Sequence, residues 1–133
     1  MMFFTSLAVA QKNDLAVIRQ RVIAELFTNA VSDNQVETVV AKMKEDGSFP
    51  GIDYADLSNI AGFPQQRHLS DLLYLARVYQ SKNSKYYHSK QLMETITRGL
   101  EFWVKNDFVG DNWHDSQIAV PTILVNLMLV MGN

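Results

Sequence analysis

The chain has 133 residues and a formal net charge of −2, which predicts one domain and excludes a general binder of polyanions. An anionic ligand must therefore be held by a local group of basic or amide side chains. The sequence has no cysteine, which excludes disulfides, thiol catalysis and cysteine-based zinc sites. It also has no glycine-rich phosphate loop and no basic–aromatic array, so no nucleic-acid partner is expected.

The first ten residues are apolar and end in Ala8-Val9-Ala10, a small-x-small pattern that precedes an abruptly polar stretch. This is typical of the end of a secretory signal peptide, although no positively charged segment precedes Met2. The alternative is an apolar N-terminal extension. We predict that residues 1–10 are a truncated signal peptide, that residues 11–133 form the folded domain, and that the protein is secreted or periplasmic.

Five stretches have apolar residues at three- and four-residue intervals, the spacing of amphipathic helices. These helices are predicted to begin near Leu15, Ser32, Pro64, Leu92 and Pro121. Ser32 and Gln35 form a capping box, and the helix that they start is predicted to end at Gly47. No stretch has the two-residue period of a strand. The predicted fold is all-α, built from consecutive antiparallel helical hairpins.

The last apolar stretch, Ile118–Met131, has almost no polar face, so it is expected to be surrounded by other helices. It falls short of the roughly 20 residues that a membrane span requires, and no membrane association is expected. Any part of this helix left uncovered would favour self-association through exposed apolar faces.

Residues 48–64 contain two of the three prolines and are predicted to form a loop. Asp53, Tyr54 and Asp56 in this loop permit an acid–base or metal site as one interpretation. The favoured interpretation is that these polar side chains satisfy backbone donors, because the spacing of a calcium loop is missing. His68, His88 and His114 show no metal-binding spacing, so neither a metal nor a cofactor is predicted. His68 is interpreted as a structural, hydrogen-bonded histidine.

A polar, aromatic segment lies directly in front of the last apolar stretch. Trp113 offers a flat apolar face and one N–H donor, which suits stacking on a sugar ring. Asn112 and Gln117 add donors and acceptors, and His114 can add charge. These four residues are the predicted substrate-binding site. The alternative is a capped helix start in which Trp113 fills the core.

Residues 112–121 read Asn-Trp-His-Asp-Ser-Gln-Ile-Ala-Val-Pro and resemble the signature Asn-Trp-Trp-x-x-Glu-Ile-x-x-Pro. Three blocks upstream resemble further motifs in the same order. Asp46–Tyr54 resembles an Asp-Gly-x-Trp/Phe-x-x-Ile/Val-x-Tyr turn, and His68-Leu69 resembles the His-Leu pair of a helix. Ser84–Tyr87 followed by Leu100–Trp103 resembles a Tyr-Tyr-Gly motif followed by a Tyr-Trp helix. Together they resemble the N-terminal helical domain of polysaccharide lyase family 8, the chondroitin, hyaluronan and xanthan lyases.

The resemblance implies that the helical hairpins form part of an incomplete α/α toroid. It also implies β-elimination on uronic-acid-containing glycans, with an anionic polysaccharide such as chondroitin or hyaluronan as partner. The paired tryptophans of the family line the cleft and stack on sugars. Trp113 matches the first, whereas His114 replaces the second and Gln117 replaces the usual Glu. Trp103 matches a helix-packing aromatic and is assigned to the core.

The catalytic Asn, His, Tyr and Arg of the family lie C-terminal to the tryptophan loop, so the resemblance implies no catalytic residue before Asn133 and an inactive isolated chain. The predicted function is therefore that of an N-terminal helical fragment of a secreted lyase, which provides cleft wall and aromatic sugar contact. The alternative is a stand-alone helical carbohydrate-binding or interaction module without catalysis.

Overall fold

A computed structural model describes residues 4–58 and 62–132, with side chains from residue 14 onward. The chain divides into two compact units, residues 1–30 and 31–133. The first unit contains one helix, α1 (Phe4–Leu26), which includes residues 4–10 of the predicted signal peptide. Residues 1–3 of that segment lie outside the described residues. Cleavage after Ala10 and the pairing of the first two helices stay predictions.

The second unit is built from four helices joined by turns and loops, and no strand occurs in the ranges that the structure describes. A 3₁₀ turn, Asp33–Gln35, leads into α2. The helices are α2 (Val36–Lys42), α3 (Gln66–Gln80), α4 (Lys90–Asn106) and α5 (Val120–Met131), the last preceded by a π-helical turn, Asp115–Ala119. The predicted all-α fold is confirmed.

Helix α3 is the centre of this unit and packs against both α4 and α5. Its hairpin with α4 is antiparallel, because the His88 N–H bonds to Tyr79 O where α3 ends and His68 Nε2 bonds to Gly99 O near its start. The C-terminal ends of α3 and α5 lie together, since Gln80 Nε2 donates to Val130 O at 3.1 Å. Helices α3 and α5 therefore run in the same direction.

The core consists of apolar side chains from these three helices: Leu69, Leu72, Leu75, Ala76, Leu92, Ile96, Trp103, Leu127 and Val130. Gly99 permits the close approach of α3 and α4, because a Cβ there would lie 2.6 Å from Leu72 Cδ2. A larger residue at this position would displace the Leu72 and Met43 side chains from their places in the core.

Two predicted helix boundaries are wrong. Helix α2 ends at Lys42, and Gly47 lies in a later turn with φ +91°, so the glycine supplies a left-handed turn rather than the helix end. Helix α1 begins at Phe4, not near Leu15. Helix α5 begins at Val120 with Pro121 in its first turn, as predicted, although the helical run that leads into it already begins at Trp113. A proline inside the run is tolerated because the preceding π-helical turn widens the backbone where the proline ring would crowd the carbonyl four residues earlier.

Helix α5 is covered on one side only. Leu127 and Val130 are buried, whereas Ile118, Val125 and Met128 on the other side are exposed. The expectation that this helix is surrounded is therefore not met within the described residues. No helix in the described ranges has the length and apolar character needed to cross a bilayer.

The loop between α2 and α3 is closely packed. Asp53 Oδ1 accepts from the backbone N–H groups of Ala55 and Asp56, and Asp56 Oδ1 accepts from Ser58. These bonds confirm that both carboxylates satisfy local backbone donors. Gln65, which is buried, donates from Nε2 to Asp56 O at 2.7 Å and ties the loop to the start of α3.

Candidate functional site

The turn that carries the predicted site is anchored on two sides. The Asp111 N–H bonds to Leu57 O at 2.9 Å, which joins the turn to the loop before α3. Gly110 lies against the buried ring of Phe63, where a Cβ would come within 2.7 Å of a ring carbon. Ser116 Oγ donates to Gly110 O at 2.8 Å and closes the turn onto the following helix. The site is therefore mounted on a fixed scaffold.

Asn112 is the cap of the last helical run. Its Oδ1 accepts from the His114 N–H at 3.0 Å, and its carbonyl accepts from the Ser116 N–H at 3.1 Å. The capped helix start that sequence reasoning offered as an alternative is thus correct for Asn112. Its contact with substrate stays a prediction. Its observed role is to cap the helical run and thereby to fix the position of Trp113.

Trp113 is 64% exposed, and Trp103 is 4% exposed. The prediction that Trp113 is accessible while Trp103 belongs to the core is confirmed. The alternative in which Trp113 fills the core is wrong. The ring of His114 meets the Trp113 ring edge-on, with centroids 5.9 Å apart and planes at 80°. The two residues together form an exposed aromatic corner at the helix start.

The turn beneath this corner is π-helical. The Val120 N–H bonds to Asp115 O, five residues back, in place of the usual four. Because Pro121 has no N–H and its ring crowds the carbonyl four residues earlier, the wider turn accommodates it. Single π-helical turns of this kind occur frequently at functional sites.

Gln117, also predicted to bind substrate, is exposed on this π-helical turn. It lines an open cleft of about 330 Å³ along α5, with Pro121, Val125 and Asn126 among the other walls. Trp113 and His114 are not part of that lining. The structure therefore brings Trp113 and His114 together at the helix start and places Gln117 at the mouth of a neighbouring groove.

Asp115 was missed by sequence reasoning, because an acidic residue in a polar segment gives no sign of burial. Its carboxylate is nearly buried, and its Oδ1 lies 3.8 Å from His114 Nδ1. The other oxygen, Oδ2, has no hydrogen-bond partner among the described residues. The Asp115 carboxylate therefore lies beside the His114 ring at the base of the aromatic corner.

A second polar group, Tyr54 with His68, lies in the interior. His68 Nε2 donates to Gly99 O at 2.9 Å, so Nδ1 is the acceptor for the Tyr54 hydroxyl at 2.8 Å. The Phe49 N–H in turn donates to the Tyr54 oxygen at 3.0 Å. Both ring nitrogens of His68 are thereby engaged, and the histidine is fully buried. The prediction of a structural histidine is confirmed.

Burial dominates the acid–base behaviour of this pair. Desolvation lowers the pKa of His68 below its ordinary value of 6.5, against the opposing effect of the bond to Gly99. Desolvation likewise raises the pKa of Tyr54. A half-buried phenol that is harder to ionise and a buried imidazole with both nitrogens occupied are poorly placed to remove a proton from a substrate.

The histidines do not assemble a metal site. Across the ranges that the structure describes, no group of three or more His, Asp or Glu side chains is arranged to hold a metal ion. His88 is exposed, and its ring is stacked against those of Tyr79 and Tyr87 with centroid distances of 5.0 and 4.0 Å.

Comparison with known proteins identifies the fold. The family model described as polysaccharide lyase family 8, N terminal alpha-helical domain, matches residues 5–133. The chain belongs to this family. Chondroitinase-AC of Pedobacter heparinus is 27% identical over 128 residues, which cover 95% of this chain. The match spans 18% of that relative's length, so the chain corresponds to a small part of it.

A solved structure of chondroitinase AC lyase, from work on its oligosaccharide complexes and mutagenesis, has the same helical arrangement. It matches with a TM-score of 0.79 and 26% identity over 86% of this chain and 17% of that chain. The helical hairpins of this lyase-family domain are therefore part of an α/α toroid.

Proposed function

We propose that this chain forms part of the cleft wall of a polysaccharide lyase that cleaves uronic-acid-containing glycans by β-elimination. The observation that carries the proposal is Trp113, a 64% exposed tryptophan held on a capped helix start within a family 8 helical domain. An accessible indole on a rigid mount can stack on the apolar face of a pyranose ring.

The contribution of Trp113 is binding and orientation. Its ring provides stacking, while His114, 5.9 Å away between ring centroids, provides hydrogen bonds and, when protonated, attraction for an anionic sugar. Gln117 adds an amide at the neighbouring groove. Binding of this kind positions a glycan chain for reaction elsewhere along it.

The chemical step is assigned to groups beyond these residues. β-Elimination requires a base that takes the proton next to the uronate carboxylate, and donors that stabilise the resulting anion. Tyr54 and His68 are hydrogen-bonded as such a pair would be, but His68 is fully buried, and the half-buried Tyr54 hydroxyl is held between His68 and the Phe49 N–H. Nothing in their geometry reaches a substrate, so we assign them a structural role.

Export belongs to the same proposal. The apolar residues that end in Ala8-Val9-Ala10 support secretion or periplasmic location, with a mature N-terminus at Gln11. N-terminal analysis of protein purified from the native host tests this assignment, and retention of residues 1–10 would oppose it.

The test of the binding role is a titration of the 133-residue chain with uronate-containing oligosaccharides, followed by tryptophan emission. Because stacking at an exposed site contributes only on the order of 1 kcal/mol to this contact, we expect binding no tighter than millimolar. Trp113→Ala should abolish the emission change and weaken the binding by roughly fivefold. Tyr87→Ala, which shortens another exposed aromatic, is the matched control and should leave both intact. Equal binding of neutral oligosaccharides would favour the stand-alone carbohydrate-binding module instead.

A second experiment tests whether the isolated chain can carry out β-elimination. Incubation of the isolated chain with chondroitin or hyaluronan should give no rise in the ultraviolet absorbance of unsaturated uronate. A reproducible rise that depends on the chain would contradict the assignment of catalysis to other residues. Loss of that rise in Tyr54→Phe would then identify the buried pair as the base.

A further inference from the structure

A second cleft, of about 420 Å³, lies between α2, the turn after Phe49 and the first turns of α3. This volume is within the range of small-ligand sites. Its walls include apolar surface from Val39 and Pro50 and three charged side chains, Lys42, Arg67 and Asp71. None of these residues takes part in the Trp113 site. We name it the α2–α3 cleft.

The charged groups come from separate parts of the chain. Arg67 and Asp71 are four residues apart on α3, so their side chains project from the same face. Lys42 is the last residue of α2. Arg67 Nη2 donates to Gly51 O at 3.2 Å, which holds the guanidinium at the rim of the cleft. Gly51 has φ +74°, a conformation that favours glycine, so the carbonyl that holds Arg67 depends on this turn.

The three charged side chains of the cleft do not form salt bridges with one another, since none of the ion pairs within the described residues joins Asp71 to Arg67 or Lys42. Both cations nevertheless lower the pKa of Asp71 through space, while its partial burial raises that pKa more strongly. The cleft thus holds two cations and one half-buried carboxylate, each with capacity for a ligand.

We propose that the α2–α3 cleft binds one uronic acid unit. Arg67 and Lys42 receive the carboxylate of the sugar, Asp71 accepts a hydrogen bond from a ring hydroxyl, and Pro50 with Val39 contacts the apolar face of the ring. The two cations and the carboxylate of the cleft are themselves the reason to expect a ligand with an anionic group beside a hydroxyl. The choice of a sugar as the carrier of both groups rests on the proposed function.

The position of the cleft is compatible with a glycan that also reaches Trp113. Helices α3 and α5 run in the same direction, because their C-terminal ends meet at Gln80 and Val130. Arg67 lies at the start of α3, and Trp113 lies at the start of the helical run that continues into α5. The two sites are therefore at the same end of this helix pair.

The test uses ¹⁵N-labelled full chain titrated with methyl glucuronide, with the neutral methyl glucoside as the matched ligand. We expect glucuronide, and not glucoside, to shift the amide signals of Lys42, Gly51 and Asp71 in a saturable manner. Arg67→Gln and Lys42→Gln should each weaken this binding, by roughly tenfold for the hydrogen-bonded arginine. Arg98→Gln, which removes the same charge from an exposed position on α4, should leave the affinity unchanged.

Asp71→Asn separates recognition of a sugar acid from simple attraction of anions. The variant loses a repulsive charge, so sulfate should bind more tightly. It also weakens the acceptor for the ring hydroxyl, so the ratio of glucuronide affinity to sulfate affinity should fall. An unchanged ratio would overturn the role of Asp71, and equal shifts with glucuronide and glucoside would overturn the proposal as a whole.

Failure of this inference can be distinguished from failure of the proposed function. Persistent Trp113 responses to oligosaccharide, with no glucuronide shifts at the cleft, would overturn the cleft and leave the stacking role intact. Cleft shifts that survive in Trp113→Ala would support the cleft independently. Spectra of Arg67→Gln that resemble the parent spectrum away from Gly51 show that the variant is folded, and Lys42→Gln provides the same test without touching that turn.

Discussion

His68 shows how a single buried residue can tie this fold to pH. Its pKa in the folded chain is lowered by burial, so the unfolded chain binds a proton more readily as the pH falls below about 6.5. The stability that the neutral imidazole contributes is therefore complete above that pH and is lost as the pH falls toward the lower, folded-state value. The hydrogen bonds to Tyr54 and Gly99 require this neutral form with a proton on Nε2.

We predict that the parent chain loses more stability between pH 7.5 and pH 5.5 than His68→Gln does. Urea unfolding at both pH values measures the difference, and His88→Gln is the control because that ring is exposed. A pH dependence that is identical in the parent and in His68→Gln would show that another group is responsible.

We predict that replacing the two tryptophans by alanine has very different effects on stability. Trp103 is buried against Phe63, His68 and Phe108, so Trp103→Ala should destabilise by about 3–5 kcal/mol. Trp113 is largely exposed, and Trp113→Ala should change the free energy of unfolding by no more than about 0.5 kcal/mol. Chemical denaturation of both variants measures this contrast. A similar loss in the two would mean that Trp113 is a packing residue.

At the scale of an element, the start of the last helical run is set by one cap. Asn112→Ala removes the acceptor for the His114 N–H and should cost about 1 kcal/mol of stability. Asn112→Asp retains an acceptor and should restore most of the loss. Asn83→Ala, in an exposed turn, is the control for a neutral surface change. Thermal unfolding checks the order, and equal melting temperatures for Asn112→Ala and Asn112→Asp would argue against capping.

The helices and the core could be predicted from the sequence, whereas some local features could not. Helical periodicity predicted the five helices of the described residues, because apolar spacing reports directly on the core, and the family resemblance predicted the burial of Trp103. The start of α5 near Pro121 was predicted, since proline favours the first turn of a helix, but the π-helical turn in front of it was not, because it has no local sequence signature. The exposure of Trp113 followed from its polar neighbours. The burial of Asp115 did not, because it depends on contacts made after folding.

The α2–α3 cleft was not foreseen for a related reason. Lys42 and Arg67 are far apart in sequence, and each has the appearance of an ordinary exposed cation on an amphipathic helix. Only the packing of α2 and the turn at Pro50 against α3 brings them to one cleft. Spatial constellations of this kind have no signature in the spacing of a single sequence.

At the scale of the whole molecule, the outer side of α5 has consequences in solution. Ile118, Val125 and Met128 are exposed on it, and contiguous apolar surface of this kind promotes association. We predict that the 133-residue chain self-associates as its concentration rises, and that Val125→Lys with Met128→Lys shifts it toward monomer. Val104→Lys with Val109→Lys, at exposed positions away from α5, should have no such effect. Sedimentation velocity that shows only monomer at every concentration would contradict the prediction.

We propose above all that Trp113 contacts sugar while the fold holds its ring in place. The chain has two tryptophans, so a ¹H–¹⁵N spectrum contains two indole N–H signals. Titration with a uronate-containing oligosaccharide should shift the Trp113 indole signal progressively and leave the Trp103 signal unmoved. Trp113→Ala assigns the two signals. An unmoved Trp113 signal at saturating oligosaccharide, or equal shifts of both signals, would contradict the account.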